Sequence, residues 1–254
     1  MLLGEHLVEL RRRLFASALA IVAFSVVGWF VAPFVLDELR KPITELATEQ
    51  GRIATLNYTE ITAAFDLKLQ IALTVGVVAA SPVWLYQIWA FLVPGLTKRE
   101  IRYSLGFVAT AIPLFLAGCL SGWLVFPHIV TLLTGFAPDQ STSVFTAKSF
   151  FDFVLKLVLV IGVAFVLPLF LVLLNFVGVV SAKGILRSWR IAILLIVLFT
   201  AIATPAADVI SMFLLAIPLV FLYFGAAGIA FLHDRQVAKR QKDLDESLTP
   251  NSRA

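Results

Sequence analysis

Two carboxylates sit where positive charge is densest, and their surroundings most suggest chemistry. Glu9 lies in His6-Leu7-Val8-Glu9-Leu10-Arg11-Arg12-Arg13-Leu14, and Glu100 closes Pro94-Gly95-Leu96-Thr97-Lys98-Arg99-Glu100. On a helix Glu9 and Arg13 stand four residues apart and can pair, while Glu100 mixes with Lys98 and Arg99. Such surface contacts are worth roughly a few tenths of a kcal/mol. Local pairing is one reading of these acids and a functional role is the other; spacing alone leaves both open. Little else offers reactive chemistry. Cys119 is the single cysteine, lies mid-span and reads as a small packing residue. His6, His128 and His233 share no metal-ligand spacing, and no phosphate-binding loop or dinucleotide fingerprint occurs. No cofactor is expected.

The elements that must carry these residues are apolar. Of 254 residues, 60% are hydrophobic and 14% charged, with a mean hydropathy of +0.97. Soluble domains run near about 25% charged, so a water-soluble enzyme is excluded. Six uncharged runs, Leu14–Leu36, Leu69–Thr97, Tyr103–Pro138, Leu157–Ala182, Ile191–Ala207 and Val209–Leu232, place spans at about 14–36, 68–93, 105–127, 151–178, 190–204 and 209–232. Crossing ~30 Å of hydrocarbon takes about 20 helical residues, and most of the runs reach that length. The expected fold is an all-α integral membrane domain of six spans over 1–232. A charged tail, 233–254, should begin as a helix and then fray.

Basic residues set the expected orientation. Fourteen of the 20 fall on one side: Arg11–Arg13, then Lys98, Arg99 and Arg102, then Lys183, Arg187 and Arg190, then five in the tail. The other six share the opposite side with nine acids. Both termini are therefore expected in the cytoplasm, and the pI near 9.4 reflects topology rather than nucleic-acid binding. The arginines before an apolar run resemble the start of a signal peptide. That run is longer than the ~7–15 residues of such a segment, and no small-residue cleavage site closes it. It is expected to stay as the first span.

Further features follow along the chain. Leu3, Leu7, Leu10 and Leu14 form one stripe, which suggests an amphipathic lead-in lying on the membrane surface. The first span is expected to end near Pro33, with an outer loop of roughly 30 residues after it. Pro82, Pro113, Pro168 and Pro218 fall inside spans and should kink them into a curved, concave bundle. The fifth span is short, about 21 Å of helix, and would sit in a cavity or thin the bilayer beside it.

The opening motif resembles the H-L-x-E-L-R-x-R-L start of the TatC family, the polytopic subunit of the twin-arginine protein translocase. A second, longer match runs Ser81-Pro82-Val83-Trp84-Leu85-Tyr86-Gln87-Ile88-Trp89-Ala90-Phe91-Leu92-Val93-Pro94-Gly95-Leu96 and closes on Arg99-Glu100. Asn175, Ser188-Trp189-Arg190, Ala203-Thr204-Pro205 with Asp208, and Leu215-Ala216-Ile217-Pro218 extend the resemblance to about His233. Pro42 and Glu60 match at lower specificity.

The resemblance implies a receptor for folded precursors whose signal peptides carry consecutive arginines. It places Glu9, Glu100 and Phe91 at the peptide, with His6, Leu10, Arg11, Arg13, Pro82, Gln87, Trp89, Pro94 and Gly95 as supporting motif residues. A guanidinium fork pairs bidentately with a carboxylate, a geometry that lysine lacks. The resemblance further implies no catalysis, location in the cytoplasmic membrane of a bacterium or archaeon, and a multimeric complex. Its partners would be single-span TatA-like and TatB-like proteins, with export driven by the proton-motive force. Thr204, Pro205 and Asp208 fall near the implied partner-docking helices, or else form a simple turn with Asp208 as helix cap. Two positions depart from the family pattern. Val166 stands where an acidic or polar residue is common, and Phe224 replaces the acid of a Tyr-Glu pair, so either partners are recruited by packing alone or the chain is a variant altered at these places. A transporter or channel for small solutes is the alternative. It would need ionisable groups near the midplane, and the span centres hold almost none. An intramembrane hydrolase would need a nucleophile with a positioned base, and none is visible.

Overall fold

The computed structural model describes residues 3–49, 54–57, 62–92, 98–135, 143–176, 178–204 and 209–248. Helices dominate: α1 (Leu3–Glu49), α2 (Ala63–Ala79), α3 (Ser81–Leu92), α4 (Lys98–Gly135), α5 (Ala147–Phe176), α6 (Ala182–Arg187), α7 (Trp189–Ala203) and α8 (Val209–Leu248). Four of them, α1, α4, α5 and α8, contain stretches long and apolar enough to cross a membrane, and α2 with α3 forms a fifth, bent by 55°. α7 has 15 residues, about 22 Å at ~1.5 Å per residue, the short apolar helix that the sequence suggested.

Two expectations need correction. The lead-in is not a separate surface helix, because α1 runs without a break from Leu3 to Glu49; residues 5–27 contain neither glycine nor proline to interrupt it. Nor does Pro33 end this helix. Pro33 and Pro42 both lie inside α1, each removing one ladder hydrogen bond that neighbouring turns compensate. The fold is all-α as expected, with one small addition: β1 (Ala54–Asn57), between α1 and α2, and β2 (Ser143–Thr146), between α4 and α5, pair in parallel, with Ala54 opposite Ser143 and Asn57 opposite Thr146. The tail continues α8 as a helix to Leu248, and 249–254 lie outside the described residues.

The α2–α3 bend has a specific cause. Pro82 offers no amide hydrogen, so the ladder breaks around Ala80. The Trp84 indole Nε1–H donates to the Val77 carbonyl at 2.9 Å, satisfying an acceptor beside the break, and the Trp84 ring meets Phe115 of α4 edge-on at 5.1 Å.

α5 is the central post. Of its most apolar stretch 56% is buried, against 11% in α1. Glycines let the helices approach closely. A Cβ on Gly118 of α4 would fall 2.9 Å from Gly162 Cα of α5, and one on Gly28 of α1 would fall 2.5 Å from the Ala72 carbonyl of α2. Phe115, Phe126, Phe151, Val154 and Ile161 fill the α4–α5 interior.

Candidate functional site

The site is built where the base of α1 meets α3. Glu9 and Arg13 are one helical turn apart, both with side chains 24% exposed. Arg13 donates from Nε at 3.1 Å and from Nη2 at 2.5 Å, both to Glu9 Oε1. Oε2 has no protein partner among the described residues. Arg13 Nη1 also donates to Gln87 Oε1 at 3.4 Å, a long bond that joins two segments 74 residues apart. A pocket of about 780 Å³ with mixed polar and apolar walls opens here, lined by Gly4, Val8, Glu9, Arg12, Arg13, Ala16 and Gln87. One Glu9 oxygen is already engaged by the Arg13 guanidinium and the other can accept a further hydrogen bond, while Arg12 and Arg13 leave the charged lining net positive.

The remaining motif residues sort by position. Leu10 is half-buried and Arg11 exposed on α1. Trp89 is buried, 5.5 Å from the Tyr86 ring, and packs α3 on α4 beside Phe107. Phe91 is half-buried near the end of α3, and Pro82 is exposed at the bend. The backbone of Glu100 lies in the first turn of α4, while its side chain, that of His6, and Pro94 and Gly95 lie outside the described residues. Gln87 gains a specific position that its motif membership did not reveal, and Gly4, Val8 and Arg12 were not foreseen as pocket walls.

The family signature Sec-independent protein translocase protein (TatC) matches residues 5–218. The chain belongs to the TatC family. The TatC of Xylanimonas cellulosilytica is 42% identical over 94% of this chain and 86% of its own, and that of Rothia mucilaginosa 35% identical over 96% and 85%. A crystal structure of the twin-arginine translocase receptor TatC, solved in DDM, superposes with a TM-score of 0.74 at 31% identity, covering 89% of this chain and 99% of that one. As a TatC family member this chain is a multi-pass membrane protein and a subunit of the Sec-independent translocase, not an enzyme.

Two positions that depart from the usual TatC pattern now have surroundings. Val166 is 3% exposed and packs with Phe115, Val158 and Leu173, a setting in which an ionised carboxylate would be costly. Phe224 is exposed, its ring 5.5 Å from Tyr223. Thr204 is buried and its hydroxyl donates to the Thr200 carbonyl at 2.8 Å. Pro205 and Asp208 lie outside the described residues.

One polar junction was missed because Asp234 looks like part of a solvated tail. Its Oδ2 accepts from the Ala182 amide at 2.8 Å, and its Oδ1 from Asn175 Nδ2 at 2.9 Å. The same Asn175 amide reaches the Val180 carbonyl at 2.9 Å. Tyr223 adds a 2.6 Å bond to the Ile185 carbonyl, so α5, α6 and α8 are tied together at one end. Asp234→Ala removes an acceptor for the first amide of α6 and should cost about 1 kcal/mol. Hydrogen exchange at the Ala182 amide should accelerate accordingly; unchanged protection would show that the junction does not depend on Asp234.

Proposed function

We propose that this chain is the receptor and scaffold subunit of a twin-arginine translocase, binding the signal peptides of folded precursors at its cytoplasmic face. The observation that carries the reading is the Glu9 carboxylate, half-buried in that mixed-walled pocket and already engaged by one guanidinium, with Gln87 of the second motif alongside. A precursor's arginine pair would take the free Glu9 oxygen and the Glu100 carboxylate, with Phe91 against the peptide. The bent α2–α3 pair and α7 count as spans together with the four long helices, which gives six crossings and both termini inside. The exposed apolar faces of α7 (Leu194, Leu198, Ile202) and α8 (Phe213, Ile217, Phe221) suit TatA-like and TatB-like single-span helices, recruited by packing, for export driven by the proton-motive force.

Photo-crosslinking from positions 9, 91 and 100 tests this directly. Precursors with an Arg-Arg signal should label strongly from all three sites and their Lys-Lys versions weakly, because an ammonium cannot replace the two-pronged guanidinium contact. Equal labelling by both signals, or none, would overturn the carboxylate assignment.

A further inference from the structure

We infer that a second groove, between α5 and the α6–α7 pair, is a binding site for an anionic phospholipid. The cavity measures about 780 Å³ and its walls are almost wholly apolar, with Leu167 and Phe170 from α5, Ile185 from α6, and Ala192, Ile196 and Phe199 from α7. No acidic residue lines it. Gly184 and Ser188 form one end of the lining, and each is preceded in the chain by an exposed base, Lys183 and Arg187, that does not itself line the groove. Trp189, 43% exposed and carrying the Arg190 guanidinium 5.5 Å from its ring, follows immediately. Tryptophan with flanking arginine marks the headgroup level of a bilayer. Asp234 is engaged by the Ala182 amide and Asn175, and the charged residues flanking this end of the groove in the chain, Lys183, Arg187 and Arg190, are all basic.

Charge and dimensions together select the occupant. Basic pockets between membrane helices on the cytoplasmic side suit anionic headgroups. From Ile191 to Phe199 the groove follows α7 for roughly 12 Å at ~1.5 Å per residue. A spanning partner helix, ~30 Å long and about 10–12 Å across, would be held over less than half its length. An acyl chain is thin enough to lie inside, with its phosphate between Lys183 and Arg187. On α7 the groove reaches Ile191 and Leu195, which adjoin the exposed Leu198 and Ile202 offered to partner helices, so the lipid would sit beside a partner helix rather than on a separate face.

Native mass spectrometry of the full chain, offered equal phosphatidylglycerol and phosphatidylcholine of the same chain length, tests the inference. The wild type should retain phosphatidylglycerol preferentially. Lys183→Gln and Arg187→Gln, both on the surface, should each reduce that preference by about fivefold. Ala192→Trp should fill the groove and expel the lipid. Equal retention of both lipids by the wild type would overturn the inference, as would a preference unchanged in the double charge variant. A photoreactive residue at position 196 in native membranes gives an independent readout: label on lipid supports the site, and label on a single-span protein overturns it.

Discussion

The double variant Glu9→Gln/Glu100→Gln is expected to bind an arginine-pair signal peptide roughly 10²–10⁴-fold more weakly than the wild type, with helix content unchanged. Each hydrogen bond to a charged group contributes about 1.5–3 kcal/mol, and glutamine keeps the shape while removing the charge. The effect should be selective: a Lys-Lys peptide, bound weakly by the wild type, should lose much less. Fluorescence anisotropy of labelled peptides on the purified chain would measure both. Near wild-type affinity in the single variant Glu9→Gln would mean that the Glu9–Arg13 pair is only a local contact within α1, and that the arginines are read elsewhere.

The second large effect concerns the α4–α5 contact rather than the pocket. Two glycines in one helix, Gly118 and Gly106, should respond in opposite directions to alanine. A Cβ at Gly118 would meet Gly162 Cα, the Ile161 carbonyl and Phe165 Cβ, each at 2.9 Å, whereas one at Gly106 would meet nothing within 4 Å. Two of those three atoms are backbone and cannot rotate away, so Gly118→Ala must part the central helices. Overpacking of this kind costs about 1–3 kcal/mol. Gly106→Ala instead gains up to about 1 kcal/mol of helix propensity. Thermal unfolding in detergent should therefore fall for the first variant and hold or rise for the second. A common direction for both would show that close packing at Gly118 does not limit stability.

Hydropathy made the long helices legible, because uncharged runs of this length have few alternatives to a membrane helix. The local breaks were less so. Pro82 announced a kink, but the same residue type at Pro33 suggested an end that α1 ignores, since a proline's effect depends on neighbours that the sequence does not identify. The β1–β2 pairing left no readable trace. Parallel strands lack a hairpin turn between them, and Ala54 and Ser143 are separated by three helices. At the site, Glu9 and Gln87 were both singled out through motifs, yet nothing in the sequence says that Arg13 bridges them. Asp234 was hidden for a simpler reason. An acid beside bases in a tail looks solvated, and only the folded chain brings the Ala182 amide to it.

The unbroken course of α1 has a mechanical consequence. Its close approach to α2 at Gly28 lies about 19 residues from Glu9 and 21 from Glu49, so the two arms are each roughly 30 Å long at ~1.5 Å per residue. The arms differ in stiffness. The one leading from Glu9 carries no proline, while the far one contains Pro33 and Pro42 and lacks their ladder bonds. The far segment is not loose, because Ala32 and Leu39 are buried in the cluster that holds Phe151 and Val154 of α5, so a ligand pulling at Glu9 would strain the core at the other end of α1.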